Sequence, residues 1–487
     1  MKECIRSSTI SRSGFFLGII CLFNATTINA QIIGDKKITL RQAIELALQN
    51  NLQVKQAQFS EALSSENVKQ SKMALYPSLN ANSNMNFNFG RSIDPLSNQF
   101  VNQSITSSNG SLFSGVTLFQ GFQKINQISQ SKYELEADKS NVQKVKNDLV
   151  LAVVSTYLQV LNGKDMLTAA KQQIAVSRKQ LDQQQKQFEV GNRTLADLSQ
   201  AKSQLATAEL NETNAQNQLD LSLLNLAQLM ELDPAVPFAV EEPVVDELKQ
   251  VNTAYSAADV FNKALSNFPD IKLAEYRRMA SEKAVDIAKG AYSPRLNLQG
   301  SLGSGYSNGR LRVLNRLPDG TSTPIGFVQG TNQTVVTPNF ITTFEKNPFR
   351  NQLDENFNQS ISFGLSIPLV NGFNARSSVR KAKLGLQSAK VSEQLAKNNL
   401  NKVVNQAVYD LKAAERRYYS ANSAYLAAKE AFNTIEQRYS VGLVNALDFD
   451  LSQTNLNKAQ FDVIQARYDL IFKSKVIDYY LGNPITF

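Results

Sequence analysis

The chain contains two long stretches in which apolar residues recur at helical spacing. In the first, residues 122–190, an apolar side chain returns every seven positions, with one step of eleven. These residues are Ile128, Leu135, Val142, Leu149, Val160, Leu167, Ile174, Leu181 and Phe188. The second stretch is residues 373–441, and no proline interrupts either. A helix of about 65 residues is about 100 Å long. The pattern therefore predicts two coiled-coil-like helices that span a distance.

Four shorter stretches alternate between apolar and polar positions, which is typical of a strand with two different faces. The clearest covers residues 79–89, where asparagine occupies every even position. The alternations predict strands over about 79–90, 111–119, 295–306 and 356–368. Between the last two lies a Gly-, Pro- and Thr-rich stretch, residues 307–355. We predict a loop of about 50 residues there, long enough to be functional or mobile.

The remaining helices are predicted from apolar stripes at i, i+3 and i+4 spacing. They cover residues 38–73, 194–231, 258–290 and 445–481. Thr39 is a plausible N-cap for the first of them. Pro77 ends this helix, and Pro294 ends its counterpart in the second half.

Each half of the chain has the order helix, strand, loop, strand, long helix, turn, helix. Leu48, Asn50 and Pro77 match Leu265, Asn267 and Pro294, which lie 217 positions later. Gly121, Gly191 and Asp197 match Gly372, Gly442 and Asp448, which lie 251 positions later. Fixed offsets across whole helices indicate an internal duplication. The first repeat is therefore residues 31–232, the linker is 233–253 with its prolines and acids, and the second repeat is 254–487.

The N-terminus has the pattern of a secretory signal peptide over residues 1–30. Lys2, Arg6 and Arg12 precede an apolar core, residues 15–23, that is too short to span a membrane. The only cysteines, Cys4 and Cys21, lie in this segment. Lipidation at Cys21 needs a small residue before it, and Ile20 stands there, so we favour a cleaved signal peptide over a lipid anchor. No later apolar run reaches 18 residues, so strands must carry any membrane passage.

The composition excludes several classes of chemistry. Histidine is absent, which excludes Ser-His-Asp and Cys-His nucleophile systems and histidine metal sites. No Gly-rich phosphate loop follows a predicted strand. We therefore expect no enzyme activity, no cofactor and no metal. The formal net charge of +9 is spread along the helices. Solvated helix faces explain it better than nucleic-acid binding, which needs a basic patch with interleaved aromatic residues.

The four predicted strands have the length and two-faced pattern of transmembrane β-strands. A bilayer tolerates no open sheet edge, because each unpaired backbone group there costs several kcal/mol. Four strands cannot close a barrel, since the smallest barrels have about eight. Three copies of the chain would supply twelve, with the Asn-rich face towards a water-filled lumen. The alternative is that these strands form a soluble β-sandwich, but that arrangement gives the long helices no role.

The duplicated arrangement carries two pairs of short motifs. Leu118–Phe122 reads LFQGF and Leu369–Phe373 reads LVNGF; Phe188–Gly191 reads FEVG and Tyr439–Gly442 reads YSVG. Together these features resemble the TolC-type outer membrane efflux proteins, the outer membrane factors, from residue 38 to about 481. The resemblance implies a mostly α fold with a transmembrane β-barrel portion.

The same resemblance implies an assembly and its partners. It indicates a homotrimer in outer-membrane lipid, with a twelve-stranded β-barrel continuous with an α-helical barrel in the periplasm. In that family the duct docks with a periplasmic adaptor (membrane fusion protein) and an inner-membrane transporter, and it exports substrates without catalysis. A soluble periplasmic coiled-coil scaffold or adaptor is the alternative function. A detergent-requiring oligomer would support the duct, and a soluble monomer the scaffold.

Two helical hairpins, at Gly191 and Gly442, are expected to form the periplasmic tip. Glycine suits the position after a helix end, where φ is positive. Thr194 and Asp197 have the spacing of a capping box, and Asn445 and Asp448 have the same spacing. We favour a capping role for Asp197 and Asp448, since the helix dipole also stabilises acids in the first turn.

The resemblance adds a functional interpretation, because acids at these positions contribute to tip contacts and a constricting acidic ring in that family. Asp448 matches such a position directly. A further acidic position falls on Leu451, next to Asp450. A basic position falls on Val444, whereas Arg193 stands two places after Gly191. The hypothesis is that Asp448, with or without Asp450, narrows the closed tip and that Arg193 pairs across neighbouring hairpins.

The junctions between strands and helices carry a proline or a glycine. They are Pro77, Gly121, Pro294, Pro368 and Gly372. Chain reversal and helix capping explain most of them, and the resemblance adds a swivel from β-barrel to α-barrel. Phe487 matches the C-terminal aromatic residue of outer-membrane barrels, but it follows a helix and a turn, so we favour coincidence.

Overall fold

The computed structural model describes most of the chain. The described residues are 37–93, 98, 100–102, 104–233, 237–242 and 253–483. The predicted signal peptide with both cysteines, most of the predicted linker, and Phe487 lie outside them. Among the described residues, no helix is both long enough and apolar enough to cross a membrane.

In its described part, the first repeat holds four helices and five strands. They are β1 (Lys37–Ile38), α1 (Leu40–Asn50), α2 (Leu52–Met73), β2 (Ser78–Asn88), β3 (Arg91–Ile93), β4 (Phe100–Asn102), β5 (Ile105–Gln120), α3 (Gln123–Glu189) and α4 (Leu195–Leu229). The second repeat follows the same order with one additional short helix, α7. Its elements are β6 (Ala239–Val240), α5 (Ala257–Asn267), α6 (Pro269–Lys289), β7 (Arg295–Ser307), β8 (Leu311–Phe327), β9 (Thr334–Lys346), α7 (Phe349–Glu355), β10 (Asn358–Ser366), α8 (Asn374–Ser440) and α9 (Ala446–Leu481).

Helices α3 and α8 dominate the molecule, with 67 residues each. At 1.5 Å per residue each is about 100 Å long. Helices α2 and α4 pack against α3, while α6 and α9 each contact both α3 and α8. Two buried apolar cores hold the middle of these helices. The first core includes Tyr157 of α3 packed with residues of α1, and the second includes Leu411 of α8 packed with residues of α5.

The single helix predicted over 38–73 is wrong, because the chain breaks at Asn51. This residue has extended backbone, and its Oδ1 accepts hydrogen bonds from Gln53 N at 2.9 Å and Val54 N at 3.3 Å, which caps α2. The helix predicted over 258–290 breaks at the equivalent place, Phe268, 217 positions after Asn51. Pro269 then opens α6, where its missing N–H costs no hydrogen bond.

One antiparallel sheet of four strands has the order β10-β7-β5-β2. Its register places polar residues opposite one another on one face, as in Asn82 with Ser111 and Ser362 with Gln299. The other face is apolar and exposed, with Leu79 and Phe363 prominent on the outer strands. Within the described chain β2 and β10 each pair on one side only, so both edges of the sheet are free.

The loop predicted over 307–355 is instead a β8–β9 ribbon followed by α7. Register shifts interrupt the ribbon near Asn315, after Pro318 and near Gly326, so its sequence lacks the alternation that marks a regular strand. Helix α7 packs against the end of β7 that extends past β10. The side chain of Gln352 is buried, accepts from Ser307 N at 2.9 Å and donates to Ser307 O at 2.9 Å, as a neighbouring strand would.

The two junctions from sheet to long helix share a backbone conformation. Gly121 and Phe122 have φ of 56° and 58°, and Gly372 and Phe373 have φ of 61° and 60°. Their surroundings differ. A Cβ on Gly121 would lie 2.6 Å from Gly290 O, whereas a Cβ on Gly372 would approach nothing closer than 3.9 Å. The first junction is therefore tightly packed and the second is open. Pro77, Pro294 and Pro368 lie just before β2, just before β7 and just after β10.

We expect Gly121→Ala to destabilise the protein more than Gly372→Ala. Both changes place an L side chain at positive φ, which costs about 1–2 kcal/mol. Only Gly121→Ala also forces a methyl group into backbone, and overpacking adds about 1–3 kcal/mol. Urea unfolding of the two purified variants measures the difference. Equal losses of stability would contradict the tight packing at Gly121.

Candidate functional site

The candidate site is the tip formed by the α3–α4 and α8–α9 hairpins. Both turns end their first helix in the same way. Gly191 N donates to Phe188 O at 2.9 Å and Asn192 N to Gln187 O at 2.9 Å. Gly442 and Leu443 repeat the two bonds in the second hairpin, and both glycines have positive φ. This is the Schellman arrangement, in which glycine avoids the strain of a Cβ.

The two predicted N-caps differ in whether the aspartate carboxylate bonds to the N-cap residue. Thr194 Oγ1 accepts from Asp197 N at 3.2 Å, and Asp197 Oδ2 accepts from Thr194 N at 3.1 Å. The backbone N–H and the hydroxyl of Thr194 both donate to the Asp197 carboxylate, and these bonds, helped by the nearby Arg193, lower the pKa of Asp197. Asn445 Oδ1 accepts from Asp448 N at 2.8 Å. Within the described part of the chain, however, the exposed Asp448 carboxylate has no hydrogen bond or ion pair, so it is available to other groups.

Arg193 contacts the other hairpin through an aromatic ring. Its guanidinium lies 5.7 Å from the centre of the Tyr439 ring, within range of a cation–π contact. Tyr439 stacks on Phe449 with ring centres 4.6 Å apart. Burial raises the pKa of the Tyr439 hydroxyl, and Arg193 opposes that shift. Arg193, Tyr439 and Phe449 thus connect the two hairpins of one chain. Pairing of Arg193 with a neighbouring chain stays a prediction.

The structure separates the two acids of α9. Asp448 is exposed, whereas Asp450 is only 4% exposed and lies between α9 and α3. Because successive helix positions turn by about 100°, residues 448 and 451 share one face and residues 450 and 453 share another. Leu451 accordingly takes the exposed place, at 59%. Asp450 therefore does not present its carboxylate to solvent at the tip, as part of an acidic ring would.

The α3 side of this contact is also polar, and sequence reasoning missed it. Gln180 Nε2 donates to Asp450 Oδ1 at 2.7 Å. Gln184 and Gln453 are buried beside this contact, one turn along α3 and α9 respectively. Burial raises the pKa of Asp450, while hydrogen bonds from Gln180 and Gln200 oppose the shift. The spacing of Gln180 and Gln184, i and i+4, was the available signal that they share a helix face.

We expect Thr194→Ala to loosen the first turn of α4. Removing a threonine N-cap costs about 1 kcal/mol, which corresponds to about fivefold faster local opening. Amide hydrogen exchange of residues 195–198 measures it. Thr207→Ala is the matched control, because Thr207 lies within α4 and, among the described residues, its hydroxyl bonds only to Ser203 O of the same helix. Equal exchange in both variants would contradict the capping role.

Comparison with known proteins gives consistent matches along the chain. A model of the outer membrane efflux protein family matches residues 43–231 and 260–483. The outer membrane efflux protein BepC of Brucella suis biovar 1 (strain 1330) is 20% identical over 90% of this chain and 83% of its own length. The outer membrane protein TolC of Salmonella enteritidis is 23% identical over 69% of this chain and 61% of its own length.

The fold also matches a solved structure. The outer membrane protein VceC of Vibrio cholerae has a TM-score of 0.72 with 15% identity, covering 92% of this chain and 97% of VceC. The mostly α fold with an α-barrel and a β-barrel portion is thereby confirmed. Because the family match extends over most of the chain, the protein belongs to the outer membrane efflux protein family, as an outer-membrane exit duct.

Proposed function

We propose that three copies of the chain assemble into one duct that passively conducts substrates across the periplasm and the outer membrane. One observation carries the proposal. A sheet with an apolar outer face and two free edges continues, through short junctions, into helices of 67 residues. Three such sheets give a closed barrel of twelve strands, and the long helices extend it as a helical barrel into the periplasm.

Pairing of β2 with β10 of the next copy removes the free edges. In lipid each unpaired backbone N–H or C=O costs several kcal/mol, so an isolated four-stranded sheet is not stable there. The exposed apolar residues of the outer face, such as Leu79 and Phe363, then contact lipid. The Asn- and Ser-rich face lines the lumen, where water satisfies its polar side chains.

The helices carry exposed apolar residues that the same assembly covers. On α2, Phe59 is 74% exposed and Leu63 is 65% exposed. On α8, Val391 and Leu395 are also exposed. Contiguous exposed apolar positions on helices are typical of an interface. A neighbouring chain that places its α2 beside α8 buries both groups and continues the helical wall.

The duct works with two further proteins. An inner-membrane transporter supplies the substrate, and a periplasmic adaptor joins that transporter to the hairpin tip. The duct itself performs no catalysis and needs no cofactor. It selects by access to the lumen, and the transporter determines most of the cargo.

The tip narrows the duct through Asp448. This carboxylate is exposed in the first turn of α9 and, within the described chain, is not engaged by another side chain. Three copies bring three such carboxylates together around the lumen axis. Asp197 is bound into its cap and contributes less, and the buried Asp450 does not enter the ring.

We expect the protein to fractionate with the outer membrane and to need detergent for extraction. Its mass in detergent, measured by light scattering with correction for the micelle, should correspond to three chains. Reconstitution in planar bilayers should give ion conductance. A water-soluble monomer would contradict the duct and support the periplasmic scaffold.

We expect Asp448→Asn to weaken block of the reconstituted channel by multivalent cations. Three carboxylates at one constriction attract such cations strongly, and the amide removes that charge. Asp220→Asn is the matched control, since Asp220 is an exposed acid of α4 that lies about 40 Å from the turn at 1.5 Å per residue. Unchanged cation block in Asp448→Asn would exclude Asp448 from the constriction.

A further inference from the structure

Four buried polar side chains form a seam between α3 and α9 near the tip. The polar seam consists of Gln180, Gln184, Asp450 and Gln453, each at most 5% exposed. Its central bond joins Gln180 Nε2 to Asp450 Oδ1 at 2.7 Å. This contact bridges the two hairpins, because α3 belongs to the first and α9 to the second. The seam therefore lies where the hairpins separate if the tip opens.

Asp450 has no cationic partner among the described residues. On its α3 side are Gln180 and Gln184, which carry no charge. On its α4 side are Gln200 and, nearer the turn, Asp197. Tyr439 of α8 is the next titratable neighbour, and the Arg193 guanidinium lies 5.7 Å from the centre of its ring. Arg193 makes no ion pair with Asp450, so the buried carboxylate relies on amide hydrogen bonds alone.

The seam has a surplus of hydrogen-bond acceptors. Within the described structure, Gln180 Oε1, Gln184 Oε1 and Gln453 Oε1 are buried and have no donor. An ionised Asp450 adds acceptor oxygens and a buried charge, and both are unfavourable there. A protonated Asp450 is neutral and adds an O–H donor to the seam. The direction of the Asp450 pKa, raised by burial, agrees with this geometry.

We propose that protonation of Asp450 holds α9 against α3, so that the hairpin tip closes more firmly at acidic pH and opens more readily as pH rises. The inference rests on the proposed duct for its effect on conduction, but the seam itself lies within one chain. Only a proton from solvent is exchanged. When the hairpins part, water reaches the carboxylate and the amide oxygens, and the penalty for the charge disappears.

The direction of the pH dependence follows from the linkage between proton binding at Asp450 and closure of the tip. Closure raises the pKa of Asp450 above its ordinary value, so the closed tip binds a proton more tightly than the open tip. The stabilisation of the closed tip is complete below the ordinary aspartate pKa and is lost as pH rises through the closed-state pKa. Each unit between the two pKa values changes the open-to-closed ratio tenfold.

The test compares wild type with Asp450→Asn, which keeps the shape and stays neutral at every pH. Channel open probability in planar bilayers is measured from pH 4 to pH 8. Wild type should open more as pH rises, and Asp450→Asn should keep the low open probability of acidic wild type throughout. Asp462→Asn is the control, because Asp462 is an exposed acid of the same helix and should leave the wild-type response intact.

A second measurement separates the seam from the duct. Hydrogen exchange of residues 446–453, corrected for the intrinsic effect of pH, should lose protection as pH rises in wild type and not in Asp450→Asn. Loss of this contrast, or equal pH responses of wild type and Asp450→Asn, would overturn the inference. If no variant conducts while the exchange contrast persists, the duct is rejected and the role of Asp450 in hairpin closure stands.

Discussion

The structure depends on one constraint, which is that backbone N–H and C=O groups in lipid must be paired within protein. The four-stranded sheet meets it along its interior but not at β2 and β10. The other features follow from that. An outer face that is apolar, an edge on each side and helices attached to every strand are the features that the proposed assembly of several chains into one cylinder requires. In that proposed cylinder the helical wall continues the sheet, because α3 follows β5 and α8 follows β10.

Where β10 ends, a side chain replaces backbone pairing along β7. Among the described residues no strand pairs with Ser307 on the β10 side of β7, and Gln352 from α7 takes that place with its side-chain amide. The amide presents one N–H and its C=O to Ser307, as a peptide group would, and its second N–H donates to Asn347 O at 2.8 Å. This lets β7 leave the sheet and lead into the β8–β9 ribbon without a stretch of unpaired backbone.

Elements with a pattern that repeats over many residues could be predicted from the sequence. Breaks within an element that depend on one residue could not. The Asn alternation of residues 79–89 predicted β2, because only a strand separates those two sets. The β8–β9 ribbon was missed, since its register shifts break the same alternation. Asn51 was read as a helical residue, although asparagine serves equally well as an N-cap, and only the structure distinguishes the two.

At the tip, Asp448 and Asp450 have the same chemistry in sequence. Their burial differs because they point in different directions from one helix.

The open surroundings of Gly372 have a mechanical consequence. Gly121 is confined by Gly290, so α3 is fixed where it leaves the sheet, whereas α8 starts from a joint with space around it. A helix of this length acts as a lever. A rotation of one degree at the joint moves the far end of α8 by about 1.7 Å over its length of about 100 Å. A displacement of several ångströms at the second hairpin therefore needs a rotation of only a few degrees at the joint, together with sliding of α8 against α6.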